Sequence, residues 1–145
     1  MSNSDNPTYG SIFQKQVKEY FHKKYGKEFI LEKKIEIGKE IKKEHKFDIV
    51  DIDNQFAIEC KRYTWTTTGN VPSAKMGFCN EAAFYLSLLP NSYEKYIVML
   101  EARHEKRQES LAEYYYRTNR HLLGEIIVAE YNPEKDEFRI IRDID

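Results

Sequence analysis

The chain has 145 residues, 41% hydrophobic and 32% charged, with a net charge of −1 at pH 7. That balance is globular rather than disordered, and the length fits one domain, 1–145, with its own core. No apolar run approaches the ~20 residues of a membrane span, and MSNSDNPTYG lacks the basic flank and apolar core of a signal peptide. A cytoplasmic protein with no membrane partner is therefore expected. The two cysteines, Cys60 and Cys79, have no second pair to complete a zinc pattern, and the four histidines are scattered. They read as reduced, partly buried thiols, a disulfide being the alternative, and no zinc is expected. Residues 1–50 carry eleven lysines against eight acids, and 124–145 three basic residues against seven acids. The basic half could meet phosphate, although an ordinary solvated surface accounts for most of these charges.

Residues 1–6 read as a flexible tail. Residues 7–26 predict a helix with Phe13, Val17, Tyr20 and Phe21 as one apolar stripe, stopped by Gly26. Residues 29–38 switch to period two, with Phe29, Leu31, Ile35 and Ile37 on one face and Glu32, Lys34 and Glu36 on the other. The stretch 39–46 is a charged connector. Strands at 47–52 and 55–63 follow, joined by Asp53-Asn54, two residue types that tolerate the left-handed backbone of a tight turn. After the loop TTTGNVP, Ser73 can cap a helix over 74–89, with Phe78, Ala82, Tyr85, Leu86 and Leu89 inward. A strand over 94–102, a helix over 105–122 striped by Leu111, Tyr115, Thr118 and Leu122, and strands at EIIVAEY and Phe138–Ile141 complete the chain. The order is helix, three strands, helix, strand, helix, two strands: an α/β class built on a mixed sheet.

The stretch Phe47–Trp65 carries the chemistry. An Asp53-Asn54 turn pairs Ile52 with Gln55, Val50 with Ala57, and Asp48 with Glu59. Opposed residues share a face with Cβ atoms ~4.5–5.5 Å apart, and Lys61 lies two residues beyond Glu59 on that face. Two facing carboxylates repel and call for a positive partner. Lys61 can supply part of it, and a divalent cation held by carboxylate, water and phosphate oxygens would supply more. The plainer alternatives are a strand-start Asp48 near solvent and a surface Glu59–Lys61 ion pair.

The element order, with FD at 47–48 in the second strand and IECK at 58–61 in the third, resembles the PD-(D/E)xK nuclease superfamily. Phe47 stands where that family has proline. The resemblance covers roughly residues 9–103. It implies a restriction-endonuclease-like αβββαβ core with a further helix and C-terminal strands, and a Mg²⁺-dependent endonuclease acting on DNA, with Mn²⁺ as a substitute metal. It implies that Asp48, Glu59 and the Cys60 main-chain carbonyl hold the metal and that Lys61 assists the attacking water. Many members add a first-helix acid or Gln. Gln14 stands at that place, with two rivals: a Ser11–Gln14 capping box and Glu19 one turn on. A Gln there favours one metal over two.

Around this stretch, Arg62, Tyr63, Trp65 and Thr66 could contact a nucleic-acid backbone or stack on a base, the alternative being that Tyr63 and Trp65 are core, a reading that suits Trp65 better. Lys75, at a helix start, is a candidate phosphate contact or a solvated lysine. His45 reads as a surface residue. Arg103, Lys106, Arg107, Arg117 and Arg120 form a second basic group interspersed with acids. Tyr114-Tyr115-Tyr116 cannot all face one core, so a partner surface, including a homodimer, is expected there. The core takes up most of the chain, so specificity is expected from loops or a dimer. The contrasting readings are a catalytically inactive nucleic-acid-binding or assembly protein on a nuclease-like scaffold, and an interaction protein with a surface charge cluster.

Overall fold

A computed structural model describes residues 7–143, and the expected tail, 1–6, lies outside them. The order is α1 (Pro7–Tyr25), β1 (Phe29–Ile37), β2 (Lys43–Asp51), β3 (Phe56–Lys61), α2 (Ser73–Ser87), β4 (Glu94–Leu100), α3 (Leu111–Leu123), β5 (Ile127–Asn132) and β6 (Glu137–Ile140). This is the succession that the sequence pattern predicts. The six strands form one mixed sheet in chain order. Pairing is antiparallel for β1–β2, β2–β3 and β5–β6, and parallel for β3–β4 and β4–β5. Antiparallel neighbours need only a turn, whereas parallel ones need a crossover, which α2 and α3 supply. Two crossovers of one hand stepping the same way leave both helices on one face. Helix α1 covers the other. No helix among the described residues is long and apolar enough to cross a membrane.

The α1 face is aromatic. Phe13, Val17 and Phe21 recur every fourth residue and are buried against Phe29, Ile49, Phe56, Ile58 and Tyr96. Phe21 meets Phe29, Phe56, Tyr96 and Phe138 edge-on, and each such pair contributes about 0.5–1.5 kcal/mol beyond area burial. On the opposite face Val50, Ala57, Ile97, Met99 and Val128 pack beneath Cys79, Ala83 and Leu86 of α2 and Leu111 and Tyr115 of α3.

Four expectations are corrected. Strand β2 begins at Lys43, so much of the expected connector is strand. Helix α3 begins at Leu111, not 105, because Ser110 and Glu113 form a reciprocal capping box: Ser110 Oγ accepts the Glu113 N–H and Glu113 accepts the Ser110 N–H. Its Leu122 is exposed and Leu123 buried. Helix α2 starts at Ser73, whose hydroxyl does not cap it; the Pro72 carbonyl accepts the Lys75 and Met76 N–H groups instead. Its buried stripe is Met76, Cys79, Ala82, Ala83 and Leu86, which sets small residues on the sheet and leaves Phe78 45% exposed.

The fourth correction shapes the functional region. The apolar residues of β1 do not share one face. Phe29 and Leu31 pack with α1, but Ile35 and Ile37 pack with α2 and α3. Between them Glu32 has φ +54, a left-handed conformation that breaks the pleat. Strand β2 changes face at the same level: Phe47 joins the α2 side and Ile49 the α1 side. Register is kept through the change, with Leu31 opposite Ile49 and Lys33 opposite Phe47. Asp48 therefore occupies the point where β2 turns over.

Candidate active site

The β2–β3 hairpin has the expected register, Val50 opposite Ala57 and Ile49 opposite Ile58. Its turn follows from local chemistry. Asn54 takes φ +55, and buried Asp51 accepts the Gln55 and Phe56 N–H groups at 2.6 Å each. Lys27 pairs with Asp51 at 2.7 Å, and this ion pair with the two N–H groups holds the Asp51 carboxyl below its ordinary value despite its burial.

Beyond Ile49 and Ile58 the two strands are joined by side chains. The Cys60 N–H donates to Asp48 Oδ2 at 2.8 Å, and the Asp48 N–H donates to Glu59 Oε2 at 3.2 Å. Each carboxylate thus takes a main-chain donor from the opposite strand, in place of a carbonyl. The change of face in β2 aims Asp48 into this seam. Within a strand a residue's N–H and C=O point to the same side, so the Cys60 carbonyl is directed at the seam as well.

Glu59 is 6% exposed. Burial, then the charge of Asp48, pushes its carboxyl from an ordinary 4.5 up to about 9, while Lys61 opposes the shift. Two carboxylates this close cannot both ionise cheaply without added positive charge. Lys61 extends from the end of β3 with its ammonium 6.0 Å from the centre of the Tyr63 ring. It acts on Glu59 as a nearby charge rather than as an ion-pair partner.

A cleft of about 470 Å³ brings Gln14 and Lys15 of α1, Glu32 of β1, Asp48 and Cys60 together. Gln14 therefore shares a cavity with Asp48. Ser11 lies inside α1, which starts at Pro7, so it does not cap the helix. Glu19 is exposed and lines a different depression with Tyr20, Lys23 and Asp136.

One neighbour was not anticipated. His45 Nε2 lies 3.6 Å from Glu59 Oε1. Its ring stacks on Tyr85 of α2 at 3.8 Å and meets Phe47 edge-on at 4.7 Å. Burial lowers its pKa, so the imidazole is neutral near pH 7. Extending the β2 alternation back from Phe47 places His45 on the same face, a signal hidden when 39–46 is read as a connector.

The expected nucleic-acid residues separate. Arg62 lies 5.0 Å from the Tyr9 ring centre and lines another cleft with Gln16, Glu101 and Asn132. Tyr63 is half-buried, with Lys61 on it and Lys75 at 5.5 Å. The Thr66 hydroxyl accepts the Asn70 N–H at 2.9 Å and so holds its own loop. Trp65 is core, donating from Nε1 to the Ala102 carbonyl at 3.1 Å. Four of the five residues of the second basic group make fold contacts: Arg117 pairs with Glu109, Arg120 with Asp143, Arg103 with Glu101, and Arg107 donates to the Gly69 carbonyl. Of the three tyrosines Tyr115 is buried and its two neighbours half-buried.

The donor set at the seam has a definite chemistry. Among the described residues no cluster of three or more His, Cys, Asp or Glu side chains is arranged to hold a metal. Asp48 and Glu59 offer two carboxylates and Cys60 a carbonyl, all hard oxygens. Mg²⁺ binds through one or two carboxylates, with water and substrate phosphate completing its shell, so the set fits Mg²⁺. Comparison with family models, with curated proteins and with solved structures gives no match.

Proposed function

We propose that this chain is a Mg²⁺-dependent endonuclease that hydrolyses phosphodiester bonds in DNA, built on the restriction-endonuclease-like core of the PD-(D/E)xK superfamily. One observation carries the reading. Asp48 and Glu59 are brought together at a seam where the strand ladder has given way, and burial first, with the Asp48 charge second, raises Glu59 to about 9. Such a pair is costly alone and is relieved by a divalent cation. Asp48, Glu59 and the Cys60 carbonyl would hold Mg²⁺, or Mn²⁺ in its place. When bound, the metal lowers the pKa of a coordinated water and stabilises negative charge developing on the phosphate.

The protein's own groups do the rest. Lys61 leaves β3 on the Glu59 side, where its ammonium orients the attacking water and offsets charge at phosphorus. Gln14 offers a neutral amide across the cleft from Asp48, which suits a single metal. His45, held between Tyr85 and Phe47, borders Glu59 at 3.6 Å.

The competing reading keeps the scaffold without turnover, as a catalytically inactive nucleic-acid-binding or assembly protein. What favours it is the Lys61 ammonium leaning over Tyr63. One assay separates the two: incubation of linear, supercoiled, single-stranded and branched DNA, and of RNA, with the protein and Mg²⁺. Cleavage of DNA is expected, with Lys61→Ala slowing it at least ~10²-fold while DNA binding weakens far less. Failure of the wild-type protein to cut any of these with Mg²⁺ or Mn²⁺ sinks the nuclease reading.

A further inference from the structure

Helix α2 presents an apolar side chain where the core does not need it. The small residues Cys79, Ala82 and Ala83 take the sheet-facing positions, and Phe78 stands 45% exposed beside them. One lysine borders it. Lys75 lies 5.8 Å from its ring centre and 5.5 Å from that of Tyr63, and Tyr63 carries Lys61 at 6.0 Å. The succession Lys61, Tyr63, Lys75, Phe78 therefore alternates ammonium and ring along a path that starts at the proposed catalytic lysine.

A nucleic-acid strand alternates in the same way, phosphate then base. Only a strand with unpaired bases can lend a base face to an external ring while its phosphates meet the lysines, because duplex bases are stacked on one another. Base–aromatic stacking combined with a positive track is the general mode of single-strand binding.

We propose that Phe78 is a base-stacking platform and that the preferred substrate of the site is DNA with unpaired bases, bound with its phosphates on Lys61 and Lys75. This rests on the nuclease reading for the identity of the ligand. Tyr63 holds the two ammonium groups in place, and Phe78 takes the base next to the phosphates they bind.

The test is fluorescence anisotropy with a labelled oligonucleotide, single-stranded or annealed to its complement, in EDTA so that no cleavage intervenes. The wild-type protein binds the single strand at least ~10-fold more tightly than the duplex, and Phe78→Ala weakens single-strand binding by ~10-fold or more. Phe78→Trp restores it, and matching thermal melts for the variants exclude a folding defect. Equal affinity of the wild-type protein for both forms overturns the proposal, as does a Phe78→Ala effect below twofold. A parallel incubation with Mg²⁺ keeps the two readings apart. Phe78-dependent binding with no cleavage leaves the platform standing and removes the nuclease. Cleavage with a Phe78→Ala variant that binds single strands normally does the reverse.

Discussion

Glu59→Gln removes the raised carboxyl of the crowded pair while keeping an oxygen for the Asp48 N–H. In the folded protein the Glu59 carboxyl is raised from 4.5 to about 9, by burial first and by Asp48 second. The fold therefore keeps a proton that the unfolded chain releases. The stability this contributes is complete below the unfolded value and is lost as pH climbs through the folded one. Inside that window each pH unit removes about 1.4 kcal/mol, so about 3 kcal/mol disappears between pH 5 and pH 7. His45, lowered by burial, acts in the opposite sense below its ordinary value and lies 3.6 Å from Glu59, so the comparison is made in a His45→Gln background to isolate Glu59. The assay is urea denaturation followed by circular dichroism in EDTA from pH 5 to pH 8. In that background the protein with Glu59 loses about 3 kcal/mol relative to Glu59→Gln across the first two units. Adding Mg²⁺ at one hundred times its Kd returns about 2.7 kcal/mol to the wild-type protein, and Glu59→Gln gains much less. Parallel pH curves for the two proteins would refute the crowded pair. Equal stabilisation by Mg²⁺ would uncouple the cation from it.

Three further outcomes follow from the fold. Gly38 has φ +108, and a Cβ there would sit 2.3 Å from the Ile41 carbonyl oxygen, so Gly38→Ala should cost about 1–3 kcal/mol in urea melts through strain at the β1–β2 turn. Ser110→Ala removes the buried hydroxyl that caps α3 and should cost about 1 kcal/mol, with Ser110→Thr recovering part of it in the same assay. Burial pushes the Cys79 thiol up to about 12, so a colourimetric thiol reagent at pH 8 should leave it unmodified until denaturant is added. Prompt labelling of a Cys60→Ser protein, in which Cys79 is the remaining thiol, would mean that α2 leaves the sheet.

The hairpin register was readable because an Asp-Asn turn and two apolar strands admit few alternatives, and Val50 does face Ala57. The alternation of β1 was not, because nothing in the type of residue 32 announces a glutamate at φ +54. Period-two reading puts Phe29 and Ile37 on one face, whereas the backbone turns over between them and takes β2 with it. This is also what separates a carboxylate on a face from one in a seam. Were β2 regular, Asp48 would project from the sheet and leave the Cys60 N–H to the strand ladder. Turned over, it claims that N–H and faces Glu59. The misplacement of Phe78 has a related cause. An apolar residue in a helical stripe is read as core, but the close approach of α2 to the sheet selects the smaller residues beside it. Pattern carries the elements and their order here because period depends on residue type alone. The two departures come from backbone conformation and from the depth of helix packing: the first falls at Asp48, and the second leaves Phe78 exposed beside Lys75, which Tyr63 joins to Lys61.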